Sequence, residues 1–533
     1  MPEVTPAPGQ VGPALPAASP VQPKPVLDRL WGAWPLAVIA LGACWLLFFA
    51  ELRGEWEINP QYNYGWAVPL LAVVLVCRRW PDRPEARAPE SSLLPAMAGA
   101  GLLLLLLPLR LLLEANPEWR LLYWVHGCQL LALTACLLYR AGGWPWVRYF
   151  APAVLFMLIA VPWPMELETA IIQGLMRFVA GLTVEVAGWL GIPAVQHGNL
   201  IEVGVGMVGI DEACSGVRSL QSGLMVSLFL GELYRMSGLR RAALLTSSLL
   251  FVLVANLCRT SFLVWAATHR GLAQMETWHN AAGLSVMFLV FGGLFGLAQV
   301  LKPALATSKP SDETARPMLP ALPRWLGCAV LGWLVSVGLA TELWYRAHES
   351  GLAPKVQWHV VWPSQSPAFT SKQVPEKALA ILRCSQSEAA SWEDDQGNQW
   401  SGFFLHWDPG RNSAQLAKGH RPDICLPATG ATLSEDFGLV SLAANGVEMP
   451  FRYQTFRNGA RLLHVFYCLW SDRISPRGQP LLEDGSRASR LRAVLAGRRN
   501  LGQQVLEVVL QGPEAKEEAV ALLERQLPKL IQP

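Results

Sequence analysis

Apolar runs of membrane-spanning length recur along the first two-thirds of the chain, separated by short polar loops. Because about 20 apolar residues cross a bilayer as an α-helix, these runs predict about eight or nine transmembrane helices. The predicted spans are 33–50, 65–79, 93–113, 120–139, 149–165, 217–234, 242–258, 281–301 and 325–343. The pattern therefore predicts a polytopic α-helical membrane protein.

One apolar stretch differs from the others because charged residues interrupt it. Segment 166–192 carries Glu166, Glu168, Arg177 and Glu185 among its apolar residues. This mixture predicts an amphipathic helix that lies at, or dips into, the outer membrane surface.

Arginines concentrate in alternate loops and indicate the orientation. They are Arg78, Arg79, Arg83 and Arg87 after the second span, Arg140 and Arg148 after the fourth, and Arg235, Arg240 and Arg241 after the sixth. Positively charged loops remain in the cytoplasm, so the loops between them should face outward.

The composition of the chain divides it into further segments. Residues 1–30 are rich in proline and alanine and predict a disordered tail before a membrane domain at 31–302. A proline-rich cytoplasmic linker at 303–324 and a helix at 325–344 precede residues 345–533. Alternating stretches such as GFFLHWDP, MPFRYQTFR and RLLHVFYCLW, with a helical pattern near the end, predict an extracytoplasmic α+β domain.

The overall composition agrees with a membrane protein. Hydrophobic residues make up 52% of the chain and charged residues only 16%, whereas soluble domains contain roughly 25% charged residues. The formal net charge of +3 gives no reason to expect a nucleic-acid partner. The ten cysteines show no CxxC spacing, so neither a zinc site nor a dense disulfide framework is expected.

Three chemically reactive residues fall on the same predicted membrane face. Cys214 lies at the outer end of the sixth span, Arg259 at the outer end of the seventh and His279 at the outer start of the eighth. A helix N-terminus and nearby cations favour a thiolate, histidine can act as base and acid, and arginine can stabilise an oxyanion. Arg218 lies one turn beyond Cys214. The convergence suggests a cysteine nucleophile.

Each residue also has an ordinary structural explanation. A cysteine at a helix end is often a small apolar residue, and Arg259 could anchor the helix by extending to lipid head groups. His279 follows Trp278 and could belong to an aromatic belt, and Arg218 could be structural.

The runs EACSGVRSL, NLCRTSFLVW from Asn256 and WHNAAGLSVMF from Trp278 resemble three signature blocks of the exosortase and archaeosortase family. The resemblance covers roughly residues 30–302 and implies a membrane cysteine transpeptidase without a metal or other cofactor. It implies that Cys214 is the nucleophile and that Arg259 and His279 complete the catalytic site. Glu212, Arg218 and Asn256 are expected to support them.

The resemblance also implies a substrate, a location and an acceptor. Its members are thought to cut exported proteins that carry a C-terminal Pro-Glu-Pro motif, a membrane helix and a basic tail. The expected location is the bacterial inner membrane, with the catalytic site and the C-terminal domain on the periplasmic face. The thioester intermediate would be attacked either by an acceptor amine or by water, which gives surface display on a membrane or polysaccharide acceptor, or release. The family often accompanies exopolysaccharide production.

The C-terminal domain carries a second resemblance. The stretch KGHRPDICLPATG from Lys418 resembles the signature of the exosortase-associated domain. His420 and Cys425 could form a second reactive pair, although a structural role is the more common one. One disulfide among Cys384, Cys425 and Cys468 is also possible.

Two rival functions remain open. The chain could be a non-catalytic membrane scaffold or a component of exopolysaccharide export, in which case Cys214 would be replaceable. It could also be a lipid-linked acyltransferase whose carboxylates are Asp211 and Glu212. Few ionisable residues lie near the centres of the predicted spans, which disfavours a transporter.

Overall fold

The computed structural model describes most of the chain in two parts. The described residues are 33–87, 93–209, 216–303, 323–349, 353–354, 357–419, 421–428, 430–459, 461–474 and 487–532. The predicted tail and nearly all of the predicted linker lie outside these ranges. A bundle of long helices comes first, and a sheet-rich domain follows it, as the sequence predicts.

Apolar sequences form the helices of the first part. They are α1 (Ala33–Ile58), α2 (Val68–Arg79), α3 (Leu93–Leu104), α4 (Leu106–Ala115), α5 (Arg120–Leu155), α6 (Met165–Trp189), α7 (Val217–Leu233), α8 (Gly238–Arg270), α9 (Leu272–Leu301) and α10 (Arg324–Glu349). In the described part of the chain, seven helical stretches are long and apolar enough to cross a membrane. Shorter α2 and α7 contain 12 and 17 residues.

A reversal inside α5 accounts for two of the predicted spans. Gly143 has a φ of 72°, a left-handed conformation that glycine adopts at low cost, and the helix breaks there. The two halves run side by side, because Trp124 Nε1 near one end donates to the carbonyl of Pro162, 2.9 Å away, beyond the other end. The sequence correctly separated 120–139 from 149–165.

The two ends of the bundle have different chemistry. At one end, the arginine-rich loops come together: Arg79 pairs with Glu232 at the end of α7, and Arg235 pairs with Asp82 at 2.8 Å. The other end contacts the C-terminal domain, and we call it the domain side.

Helix α6 contacts other elements at the domain side through both of its halves. Glu168, in its first turn, pairs with Arg120 at the start of α5. Farther along, Thr183 Oγ1 lies 2.7 Å from Thr260 Oγ1 of α8, and the apolar cluster around this half includes Val217 at the start of α7. Helix α6 is also long and apolar enough to cross a membrane, so the surface position of 166–192 stays a prediction.

Two predicted helix boundaries were wrong. The sequence placed Arg259 at the end of a helix at 242–258, but α8 continues to Arg270. His279 was expected at the start of its helix, but α9 begins at Leu272. Polar residues such as Thr260 end an apolar run without ending a helix, because they tolerate helical dihedral angles. Both residues therefore lie within continuous helices.

The second part of the chain contains a large antiparallel sheet, several short strands and five helices among the described residues. Its elements are β4 (Ala353–Pro354), β5 (His359–Val360), β6 (Thr370–Lys372), α11 (Glu376–Leu382), β7 (Gln386–Glu393), β8 (Gln399–Trp407), α12 (Ser413–Gly419), α13 (Pro422–Ala428), β9 (Thr432–Ala444), β10 (Val447–Asn458), β11 (Arg461–Ser471), β12 (Arg473–Ile474), α14 (Arg487–Leu495), β13 (Gln503–Gln511), α15 (Lys516–Leu530) and β14 (Ile531–Gln532). β1 (Ala194–His197), β2 (Leu200–Val203) and β3 (Gly206–Gly209) form a smaller sheet between α6 and α7.

The predicted strands and terminal helix are confirmed as β8, β10, β11 and α15. Within the described residues, the large sheet has seven strands in the order β6-β7-β8-β13-β11-β10-β9. Alternation along the strands directs apolar side chains into a core, which α15 helps to cover with Leu523 and Leu527. The α+β prediction therefore holds.

The C-terminal domain docks directly on the domain side of the bundle. Gln415 Nε2 of α12 donates to Glu55 Oε1 of α1 at 2.7 Å, and Lys418 pairs with Glu118 at 2.9 Å. Arg383 also donates to the backbone carbonyl of Glu57. These polar contacts fix the domain over the ends of the helices.

Candidate functional site

Two of the expected site residues lie on one face of α8. Asn256 and Arg259 are three residues apart, which places them on the same side of the helix. Only 1% of Asn256 and 8% of Arg259 is exposed. A guanidinium remains charged when buried, so surrounding structure must hold it in place.

Arg259 contacts His279 across the interface between α8 and α9. Arg259 Nη2 lies 3.4 Å from His279 Nε2 and 3.3 Å from the carbonyl oxygen of His279. An arginine can only donate hydrogen bonds, so the first contact requires an unprotonated Nε2. The structure thus brings together the arginine and the histidine of two separate sequence blocks.

Gly283 makes room for this arrangement. It lies one helical turn beyond His279 on the same face of α9. A Cβ atom at this position would lie 3.2 Å from Arg259 Nη2, a tight contact that glycine avoids. Gly283 is not among the residues predicted from the sequence, although its spacing from His279 is the signal that could have identified it.

The start of α7 approaches the same region. Gly216 precedes α7 with a φ of 79°, and a Cβ atom there would lie 3.1 Å from Asn256 Cγ. Glycine is suited to both the left-handed conformation and the close approach. Asn256 therefore lies between the start of α7 and the Arg259–His279 pair along α8.

The expected nucleophile is two residues before Gly216 in the sequence. Cys214, Glu212 and Asp211 lie outside the described residues. Their predicted roles therefore remain predictions.

Arg218 is placed differently from Arg259. It lies in the first turn of α7 and is exposed. The structure gives it no hydrogen bond or ion pair to another described residue, and it does not bring Arg218 to the Arg259–His279 pair. Its supporting role also remains a prediction.

The small β-sheet leads into this region. The strands β1, β2 and β3 pair antiparallel and pack through Ile201 and Val208 against α6 and α8. The turn between β1 and β2 contacts the C-terminal domain, since a Cβ atom on Gly198 would lie 2.9 Å from Gly430 Cα. The apolar pattern does not predict this sheet, because its strands have only four residues each.

A buried ion network also lies on the domain side. Arg120 pairs with Glu55 at 3.0 Å and with Glu168, and Tyr62 donates to the same Glu168. No local sequence pattern predicts this network, because its paired residues are separated by 48 to 106 positions. Mutual pairing allows these charges to remain buried.

The possible reactive pair of His420 and Cys425, in the C-terminal domain, has less structural support than the Arg259–His279 pair. His420 lies outside the described residues, and Cys425 is exposed on α13. In the part of the chain that the structure describes, no disulfide joins Cys384, Cys425 and Cys468 to one another, and Cys468 belongs to the domain core. Among the described residues, no group of three or more His, Cys, Asp or Glu could hold a metal ion.

Residues 56–296 match the transmembrane exosortase family. The membrane part of the chain therefore belongs to the exosortase family. The exosortase match includes Asn256, Arg259 and His279, together with the start of α7, whereas the sheet domain lies beyond it. No curated protein and no solved structure matches the chain.

Proposed function

We propose that this exosortase is a cysteine transpeptidase that cleaves C-terminal Pro-Glu-Pro sorting signals of exported proteins. The observation that carries the proposal is the contact between Arg259 and His279 beside the helix that follows Cys214. Family membership supports the class of enzyme, and the site residues support this chemistry.

The proposed reaction is an acyl transfer. The Cys214 thiolate attacks the scissile carbonyl carbon, and Arg259 stabilises the negative charge that develops on its oxygen. The carbon–nitrogen bond breaks, and His279 passes to the leaving amine the proton that it took from the Cys214 thiol. An acceptor amine then attacks the thioester and releases the thiol.

We place the domain side at the periplasmic face of the inner membrane. The arginines of the opposite end, including Arg79 and Arg235, support this orientation through the positive-inside rule. Exported proteins would then reach the site after translocation, with their membrane helix still in the bilayer. The C-terminal domain would face the compartment in which the acceptor occurs.

Processing of a reporter in cells tests the proposal. The reporter is an exported protein with a Pro-Glu-Pro motif, a membrane helix and a basic tail. We expect the parent chain to shorten it and Cys214→Ala to leave it at full length, at equal membrane abundance. Cys258→Ala is the matched control, because Cys258 is an exposed thiol beside Arg259 and should retain processing.

A second variant tests the role of the arginine. Arg259→Lys keeps the charge but removes the planar set of donors, and we expect a fall in processing of about 10²-fold, typical of a lost oxyanion donor. Continued processing by Cys214→Ala would overturn the cysteine mechanism. The scaffold function would then become the better explanation.

A further inference from the structure

A large cavity lies at the junction between the bundle and the C-terminal domain. Its volume is about 780 Å³, within the range of roughly 300–1,000 Å³ typical of small-molecule sites. The bundle contributes the ends of α4, α5 and α6, and the C-terminal domain contributes α12, α14 and one face of the strands β10 and β11. Both parts of the chain are needed to enclose it.

The cavity lining is strongly basic. Among the described residues, ten basic and three acidic side chains line it. Five of the basic residues have carboxylate partners: Arg120, Lys418, Arg421, Arg452 and Arg499. Arg411 lies within electrostatic reach of Glu51. The internal partners do not account for the whole excess of positive charge.

Two arginines of the lining contribute to this excess. Arg487 and Arg490 form no ion pair with another residue that the structure describes, whereas Arg473 lies within electrostatic reach of Asp472. Like charges repel each other, and water screens only part of this repulsion because Arg490 is half-buried. A bound anion would relieve this repulsion.

Arg490 is held in position before any ligand binds. Its guanidinium lies 4.5 Å from the centre of the Trp119 ring, and its backbone carbonyl accepts a hydrogen bond from Asn116. Its Nε atom is buried and has no hydrogen-bond partner among the described residues. Arg487 lies three residues earlier on α14, on the same helical face. Two guanidinium groups thus face one cavity from one helix.

The position of the cavity indicates the kind of anion. Its bundle wall consists of helix ends, including Leu121, Pro164 and Met165. Helices that cross a bilayer end near the lipid phosphates, and Leu121, 49% exposed, lies where lipid could reach it. Guanidinium groups bind phosphate through paired hydrogen bonds. Several arginines also match the charge of phosphate better than that of a single carboxylate.

We propose that this cavity binds a phosphate-bearing ligand, through Arg487 and Arg490 in particular. The phosphate belongs either to a membrane lipid head group or to a soluble phosphate compound. The ligand joins the two parts of the chain by neutralising the arginines between them. This inference does not depend on the cysteine chemistry.

Binding to the purified full-length chain tests the proposal. The protein is delipidated in a neutral detergent and titrated at constant ionic strength with short-chain phosphatidic acid, phosphatidylcholine or inorganic pyrophosphate. Thermal unfolding reports binding, because a ligand of the native state raises the unfolding midpoint. Preference for phosphatidic acid identifies a lipid ligand, whereas preference for pyrophosphate identifies a soluble one; each supports a phosphate site.

Variants on α14 locate the site. We expect Arg490→Gln, and separately Arg487→Gln, to weaken phosphate binding at least tenfold. Arg492→Gln is the matched control, because Arg492 is exposed on the same helix and is not part of the cavity lining. The proposal fails if no phosphate probe binds, or if Arg492→Gln weakens binding as much as the cavity variants do. Two separate cavity variants guard against misfolding of either one.

Discussion

The hydrogen bond between Gln415 and Glu55 should contribute measurably to domain docking. Gln415 and Glu55 are 6% and 1% exposed, and their side chains meet at 2.7 Å. Glu55 also accepts hydrogen bonds from Arg120 and Asn59. Replacing Gln415 with leucine therefore removes one partner of a carboxylate that retains two others.

The magnitude follows from this geometry. A hydrogen bond to a charged group contributes about 1.5–3 kcal/mol, and the lower part of this range applies because Glu55 remains paired. A loss of about 1.5 kcal/mol raises the undocked population roughly tenfold. A cysteine introduced at Asn116, which is 3% exposed and donates to the backbone of Arg490, reports undocking.

The assay is the rate at which a soluble maleimide modifies position 116, measured by mass spectrometry of that peptide. We expect Gln415→Leu to accelerate modification about tenfold. Gln399→Leu changes an exposed glutamine of β8 and should leave the rate unchanged. A change of less than twofold in Gln415→Leu would refute a contribution of this contact to docking.

Two further predictions concern a carboxyl in the sheet and a glycine near the site. Burial raises the pKa of the Glu507 carboxyl to about 7 from 4.5. The contribution of this carboxyl to the free energy of unfolding is therefore complete below pH 4.5 and is lost as the pH rises through 7. Glu507→Gln should therefore stabilise the purified chain by up to about 3 kcal/mol at pH 8 and little at pH 4, measured from thermal unfolding at both pH values. Gly216→Ala should slow reporter processing about five- to thirtyfold, because a left-handed alanine costs about 1–2 kcal/mol and its Cβ meets Asn256. Gly292→Ala, with open space around its Cβ, should have little effect on processing.

Either of these predictions can fail clearly. Equal shifts in stability of Glu507→Gln at pH 4 and pH 8 would show that the carboxyl does not titrate as expected. Processing by Gly216→Ala at the parental rate would show that the conformation before α7 does not matter for the reaction.

The elements that the sequence predicted well depend on local pattern. Apolar runs located the helices, and alternation located β8, β10 and β11. The charges of the loops grouped Arg259 and His279 on one side, and the structure places them in contact. Periodicity and charge are readable from one segment at a time, so these predictions needed no knowledge of long-range contacts.

The features that the sequence analysis missed depend on contacts between distant residues. Gln415 and Glu55 are separated by 360 positions, and nothing in either segment indicates the other. The end of α8 was misplaced because Thr260 interrupts an apolar run but finds a partner in Thr183. The basic cavity likewise appears only when the two parts of the chain meet.

Docking also connects the C-terminal domain to the segment before Cys214. Helix α13 begins beside the cavity and ends close to Gly430, which contacts Gly198 at the turn between β1 and β2. Both glycines have positive φ, so a side chain at either would strain the backbone and separate the two surfaces. The last of the strands after this turn, β3, ends at Gly209, five residues before Cys214 in the sequence. A ligand that fixes the domain would therefore also restrain the approach to the proposed nucleophile, which gives the fused domain a physical means of influencing the reaction without supplying a catalytic residue.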